Sequence, residues 1–233
     1  MKSLSLAIIF SCTMFVSNNN CSAQTSTGIP DLPVNITNAV PDSSKPFVFY
    51  ITGDGGWNKF SKNLASAFAA KGYPVVSLNA EKYFWDKKTP QQAAADVSKL
   101  LLFYRQLWKK KNVVLIGYSF GADVMPFIYN QLPAELANQV VNINLLSPSA
   151  KTDFEIHLMV MLGGHGDGEP VAAAINKITS KPIILLFGEN EDDFPLDDLT
   201  IKNYTRISIP GGHHYGDDEL NVCNSILLHL PKR

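Results

Sequence analysis

The chain has 233 residues, 45% hydrophobic and 18% charged, with 20 Lys+Arg against 21 Asp+Glu. That is the composition of a globular protein long enough to bury a core, which excludes a disordered or fibrous chain. A net charge of −1 gives no footprint for nucleic acid, and no apolar run reaches the roughly 18–20 residues of a membrane span.

Lys2, the mostly apolar stretch Leu4 to Val16, and Cys21-Ser22-Ala23 have the layout of a secretory signal peptide cleaved after Ala23. The three Asn residues before Cys21 argue against a lipid anchor. Cleavage removes Cys12 and Cys21, leaving Cys223 alone. An exported domain with one cysteine must rely on its apolar core. Cys223, set among Val222, Ile226 and Leu227, is expected to be a small buried side chain rather than a reactive thiol.

Residues 24–45 read as a polar leader with one edge strand near Val34–Thr37. Residues 46–233 read as a single domain. Phe47-Val48-Phe49-Tyr50-Ile51 is a continuous apolar run, as in a strand buried on both faces. Leu64, Ala65, Phe68 and Ala69 recur at helical spacing, and Lys71-Gly72 ends that helix. Pro74 to Leu78 is the next strand.

Thr89-Pro90-Gln91-Gln92 supplies an N-cap, a first-turn proline and a capping box. Ala93, Val97, Leu100, Leu101, Tyr104 and Leu107/Trp108 then give one apolar face. Lys109-Lys110-Lys111 is expected to be a solvated helix end. Val113 to Ile116 is a strand, and Phe120 to about Gln131 a helix. Val140–Leu146, Ile183–Phe187 and Tyr204–Ile209 are further strands, and Asp218 to Leu230 is the last helix. The alternation implies an α/β fold: a mostly parallel sheet with helices on both faces. Within 147–180, the apolar run Ile156 to Leu162 and the Gly-rich loop Gly163 to Gly168 have no clear type.

Gly117-Tyr118-Ser119-Phe120-Gly121 is a G-x-S-x-G between a buried strand and a helix, the context of a nucleophile elbow. Ser119 then projects at the C-terminal sheet edge, and the Phe120 N–H is placed to bind an oxyanion. A serine needs a base to take its proton. Glu189-Asn190-Glu191-Asp192-Asp193 follows one later strand, and Pro210-Gly211-Gly212-His213-His214-Tyr215 follows the next. The order Ser, acid, His is that of a triad in this architecture. Asp192 and His214 are the preferred acid and base, with Glu191, Asp193 and His213 as alternatives.

The loop Thr52-Gly53-Asp54-Gly55-Gly56-Trp57 follows the first main strand, and Asp54 or Gly55 is expected to give the second oxyanion donor. The loop lacks the Gly-Lys-Ser/Thr ending of a phosphate-binding loop and the G-x-G-x-x-G of a dinucleotide site. His157, His165 and His229 show no metal-ligand spacing. No cofactor and no metal are expected.

These residues resemble the bacterial virulence protein VirJ and its AcvB relatives, within the α/β-hydrolase superfamily. The resemblance rests on Gly53-Asp54-Gly55-Gly56-Trp57, on Tyr83-Phe84-Trp85 followed by Lys88-Thr89-Pro90, and on Leu115 to Val124 around Ser119. Asp153-Phe154-Glu155-Ile156-His157 and Gly211-Gly212-His213-His214 extend it. It implies a periplasmic location and, for the AcvB type, hydrolysis of lysyl-phosphatidylglycerol by a serine triad. It also implies a secretion-system partner in virulence. A lysyl ester carries two ammonium groups, so acidic residues are expected in the pocket. Asp54 and Asp123 are the candidates, with Trp57 as a further substrate contact. Tyr83-Phe84-Trp85 is a candidate lip toward lipid.

Overall fold

The computed structural model describes residues 31–40, 42, 44–156 and 168–231. The N-terminal stretch read as a signal peptide, His157, His165 and most of the 156–168 stretch lie outside the described residues.

The chain-order elements are β1 (Val34–Thr37), β2 (Phe47–Ile51), α1 (Lys59–Ala70), β3 (Val75–Leu78), α2 (Ala80–Tyr83), α3 (Pro90–Leu107) and β4 (Val113–Tyr118). Then come α4 (Phe120–Asn130), α5 (Ala134–Gln139), β5 (Val140–Leu146), β6 (Lys151–Thr152), β7 (Glu169–Pro170) and α6 (Val171–Ile175). The chain ends with β8 (Ile183–Gly188), β9 (Tyr204–Ile209) and α7 (Glu219–Leu228). Seven strands form one sheet in the order β1-β3-β2-β4-β5-β8-β9. Only β1 runs antiparallel, pairing Val34 with Leu78 and Thr37 with Val75. The leader strand therefore belongs to the same sheet as the rest of the chain.

The apolar runs are buried on both faces because each strand alternates between two cores. Phe47, Phe49 and Ile51 of β2 enter one cluster with Leu100, Leu101, Val124 and Ile175, under α3, α4 and α6. Val48 and Tyr50 enter the other with Leu64, Phe68, Val222 and Ile226, under α1 and α7. Fully burying each such side chain is worth roughly 1.5–3 kcal/mol, so dozens of them hold the domain together. Cys223 is fully buried in the second cluster, where burial pushes its thiol up to about 12.

The helix boundaries follow their caps. Thr89 accepts from the Gln92 N–H at 3.1 Å, and the Gln92 side chain accepts from the Thr89 N–H at 2.9 Å. Leu107 departs from the expected apolar face and is 57% exposed, while Trp108 packs edge-on against Phe47. Lys110 departs from the expected solvated run. It is 6% exposed, and its ammonium donates to the carbonyls of Asp42 and Lys45. The leader folds back over the helix end, and those two carbonyls replace water.

β2 leads to β3 on one side of the sheet and neighbours β4 on the other. This reversal opens a crevice at the C-terminal strand ends, where parallel α/β sheets bind ligands.

Candidate active site

Three turns converge on that crevice. The first, from β4 into α4, holds Ser119 at φ 51°, ψ −121°, a conformation rare for a residue with a Cβ. The turn is possible because Gly117 and Gly121 have no side chains. A Cβ on Gly117 would strike the Gly121 carbonyl, and one on Gly121 would lie 2.6 Å from the Thr52 carbonyl oxygen. The Ser119 N–H continues the sheet by donating to the Leu146 carbonyl at 2.8 Å. Phe120 and Gly121 open α4, so their N–H groups have no acceptor within the helix.

The second turn follows β8. The Glu191 N–H donates to the Gly188 carbonyl at 3.0 Å, which folds the chain back toward the sheet. Glu191 Oε2 accepts from the Gly188 N–H at 2.7 Å and from the Ser147 hydroxyl at 2.5 Å. The third turn follows β9. Gly211 adopts φ 102°, and the Tyr215 N–H donates to the Gly212 carbonyl at 2.8 Å. A Cβ at Gly188 would lie 2.6 Å from the Gly212 carbonyl carbon, so glycine there lets the second and third turns touch.

The result is a hydrogen-bonded chain. His213 Nδ1 lies 2.6 Å from Glu191 Oε1, and His213 Nε2 lies 2.9 Å from Ser119 Oγ. With a carboxylate on Nδ1–H, Nε2 is left as the acceptor for the serine proton. The bond to Glu191 raises the His213 pKa above 6.5; burial opposes this, and the charges of Glu191, Asp54 and Asp123 add to it. Burial is the largest influence on Glu191 and would raise its pKa. Donation from His213, Ser147 and the Gly188 N–H together outweighs it and holds the carboxylate below its usual range.

This geometry departs from the sequence preference for Asp192 and His214 and joins the two alternatives instead. Asp192 is exposed, because the turn bond from residue 191 to Gly188 brings only Glu191 under the sheet edge. His214 turns the other way, with Nδ1 2.8 Å from the Tyr118 hydroxyl. Tyr118 also donates to the His213 carbonyl at 3.0 Å, so one buried phenol anchors the His213 backbone and the His214 ring. Asp193 lines the neighbouring cleft and has no bond to His213.

The loop after β2 departs from expectation in two details. The Gly55 N–H is bound by the Asp54 carboxylate at 2.9 Å, which leaves the Asp54 N–H as this loop's candidate oxyanion donor. Trp57 is partly buried against the α1/α7 core rather than lining the cleft. Gly53 presses close to Ser119: a Cβ there would lie 3.3 Å from Ser119 Cβ.

A cleft of about 830 Å³ opens beside His213. Phe120, Phe187 and Phe194 supply apolar wall. Asp123, Asp153, Glu155, Glu191 and Asp193 line it against Lys151 and His213 among the described residues. Asp123 is 5% exposed and accepts from the Ser149 N–H at 2.5 Å. Burial pushes its carboxyl up to about 7 against that bond. Asp54 reaches the site as a charge felt by His213 and does not line the cleft. Of the candidate lip, Tyr83 and Phe84 are buried, with Phe84 5.1 Å from the Phe120 ring, and Trp85 is 58% exposed. Among the described residues, no cluster of His, Cys, Asp and Glu is arranged to hold a metal.

Ser147, Tyr215 and Tyr118 were not singled out in the sequence. Tyr118 sits inside the G-x-S-x-G, and Ser147 directly follows β5 as Ser119 directly follows β4. Those positions were the available signals.

The family model described as bacterial virulence protein (VirJ) matches residues 46–233. The chain belongs to the VirJ family. A comparison with curated proteins found no match. Among solved structures, the dienelactone hydrolase from Anabaena variabilis superposes with a TM-score of 0.60 at 13% identity, covering 88% of this chain and 96% of that one. MenH from S. aureus gives 0.58 at 16% identity, covering 83% and 96%. Est1E from Butyrivibrio proteoclasticus, solved with ferulic acid bound, gives 0.57 at 15% identity, covering 84% and 95%. At these identities the likeness is one of fold, and this VirJ-family chain has the α/β-hydrolase fold.

Proposed function

We propose that this VirJ-family protein is a serine hydrolase of carboxylic esters, with Ser119 as nucleophile, His213 as base and Glu191 as the acid that orients it. The observation that carries the reading is the continuous chain from Ser119 Oγ through His213 to Glu191, with links of 2.9 and 2.6 Å. His213 Nε2 takes the hydroxyl proton as Oγ attacks the ester carbonyl carbon. The Phe120 and Asp54 N–H groups receive the developing oxyanion. The C–O bond to the alcohol breaks, and His213 returns its proton to the leaving oxygen. Water then gives a proton to His213 and attacks the acyl-serine, which releases the acid and restores Ser119.

The substrate in this reading is an aminoacyl ester of a phospholipid, with lysyl-phosphatidylglycerol first. Its support is the family membership and the acidic lining around Asp123, which suits an ammonium-bearing acyl group. The products are lysine and phosphatidylglycerol. The signal-like N-terminus and the description of the family as virulence proteins support a periplasmic site of action.

The test is a fluorophosphonate probe followed by peptide mapping, with Ser119→Ala alongside. Labelling at Ser119 that disappears in the variant supports the mechanism; full ester hydrolysis by Ser119→Ala overturns it. For the substrate, a deletion strain should accumulate lysyl-phosphatidylglycerol, and an unchanged lipid profile would remove that assignment.

A further inference from the structure

The face of Glu191 turned away from His213 is held by a second pair of residues. Ser147 directly follows β5 and is 3% exposed; Tyr215, two residues past His213, is 1% exposed. The Ser147 hydroxyl lies 2.5 Å from Glu191 Oε2 and 2.6 Å from the Tyr215 hydroxyl. The Tyr215 hydroxyl lies 3.1 Å from the Leu186 carbonyl, on the strand that delivers Glu191. Ser147 has one proton. Spent on the carboxylate, it leaves Ser147 Oγ as an acceptor, and the single Tyr215 proton is shared between Ser147 Oγ at 2.6 Å and the Leu186 carbonyl at 3.1 Å. Both residues also carry left-handed backbone, φ 48° at Ser147 and 52° at Tyr215, a costly conformation for residues with side chains.

We infer that Ser147, backed by Tyr215, is a positioning residue for the reaction proposed above: it fixes Glu191 so that Oε1 meets His213. Three consecutive residues, Glu191, Asp192 and Asp193, could offer a carboxylate at this turn. Only Glu191 has its second oxygen tied by Ser147 and the Gly188 N–H. With Oε2 saturated, the carboxylate plane is set and the remaining oxygen is aimed at Nδ1. Without Ser147, one backbone N–H would hold a carboxylate on a side chain with three torsions, and the bond to His213 would loosen.

The consequence is readable in the pH dependence. His213 must be neutral to act as base, so reactivity is lost as pH falls through its pKa. Glu191 is the main support of the protonated imidazole. The other groups around His213 are Asp54 on the loop after β2, Asp123 on α4, Tyr118 on β4 and His214 beside it; Tyr118 and Tyr215 also face Glu191. In a Ser147→Ala protein Tyr215 loses its bond to residue 147 and the other groups keep theirs, so a loosened Glu191 lets the imidazole pKa fall and moves the acid limb to lower pH.

The experiment measures the second-order rate of fluorophosphonate labelling at Ser119 from pH 5 to 9, which needs no substrate assignment. Ser147→Ala should label about 10–100-fold more slowly, with its acid limb about half a unit or more below the wild type. Tyr215→Phe, which keeps the ring and loses the hydroxyl, should move both quantities the same way by less. It serves as the folded variant if Ser147→Ala is unstable. Ser77→Ala, which removes a buried hydroxyl without a partner on β3, is the control and should match the wild type. If the wild type does not label at Ser119, the hydrolase reading fails. If it labels and both variants keep the wild-type limb, Ser147 is not a positioning residue, whatever happens to the rate or to thermal stability.

Discussion

The turn that carries Ser119 and the turns that carry Glu191 and His213 meet at one point, and they are built by different means. The Ser119 turn is set by backbone sterics. Gly117 and Gly121 are the only residues that fit against the Gly121 and Thr52 carbonyls, and the serine is fixed by its peptide neighbours. The other two turns also need glycine, at Gly188 and Gly211, but side-chain hydrogen bonds decide which carboxylate and which imidazole they present. Glu191 is held by Ser147 and the Gly188 N–H, and the His213–His214 pair by Tyr118. Steric demands leave a glycine signature in the sequence. Hydrogen bonds between residues 44 or 96 positions apart leave none.

The sharpest way to break this comparison is to exchange neighbours. His213→Gln or Glu191→Gln should lower labelling of Ser119 by about 10³–10⁴-fold. His214→Gln and Asp192→Asn, one residue away in each case, should remain within about threefold of the wild type, since neither touches Ser119 or His213's ring nitrogens. Rates measured at pH 8 check this. A large loss from Asp192→Asn beside a small one from Glu191→Gln would mean that the acid turn rearranges in solution.

What was legible follows the same division. The strand runs from Phe47, Val113, Val140, Ile183 and Tyr204 and the capping box at Thr89 all appear where local patterning puts them. Local chemistry decides these elements: central strands buried on both faces need apolar runs, the exposed edge strand from Tyr204 is marked by aromatic and β-branched residues, and a helix start needs a cap. The short helices Ala80–Tyr83 and Val171–Ile175 were missed, since four or five residues carry too little periodicity to read. The role of Lys110 was missed because its partners, the Asp42 and Lys45 carbonyls, are main-chain groups that any residue could supply. Ser119 was legible and the three acids were not separable, since Glu191 differs from Asp192 only by where the turn sends it.

A second test moves from chemistry to stability. Gly121→Ala places a Cβ 2.6 Å from the Thr52 oxygen and 2.7 Å from the Ile51 carbonyl carbon. These are backbone atoms of the central sheet and cannot step aside. The expected loss is about 3–5 kcal/mol, or roughly 10 °C in Tm for a chain of this size. Gly212→Ala, in the histidine turn, meets nothing within 4 Å and should shift Tm by only about 1 °C. Thermal denaturation of the two variants compares the packed turn with the bonded one directly. Equal shifts would show that the histidine turn is also held by packing.

The smallest expected effect concerns Asp123, where the two kinds of construction overlap. It sits one helical turn after Ser119, yet its Oδ1 binds the Ser149 N–H and so fixes the loop that begins at Ser147. Its carboxyl titrates at 3.8 when solvated and near 7 when buried here. A raised acid contributes stability that is fully present below the unfolded value and is lost as pH rises through the folded one. The wild type therefore loses this contribution between about pH 4 and 7. Asp123→Asn keeps an oxygen acceptor for Ser149 and has nothing to ionise. Its Tm relative to the wild type should thus increase from pH 4 to pH 7, by the equivalent of about 1 kcal/mol or more. Glu191, with its lowered pKa, destabilises both proteins as pH falls below 4.5 and cancels in the difference. A difference that stays flat across this range would mean that Asp123 is ionised throughout. The cleft floor would then carry a permanent negative charge beside His213, and the acidic lining would act on an ammonium group at every pH where the base is active.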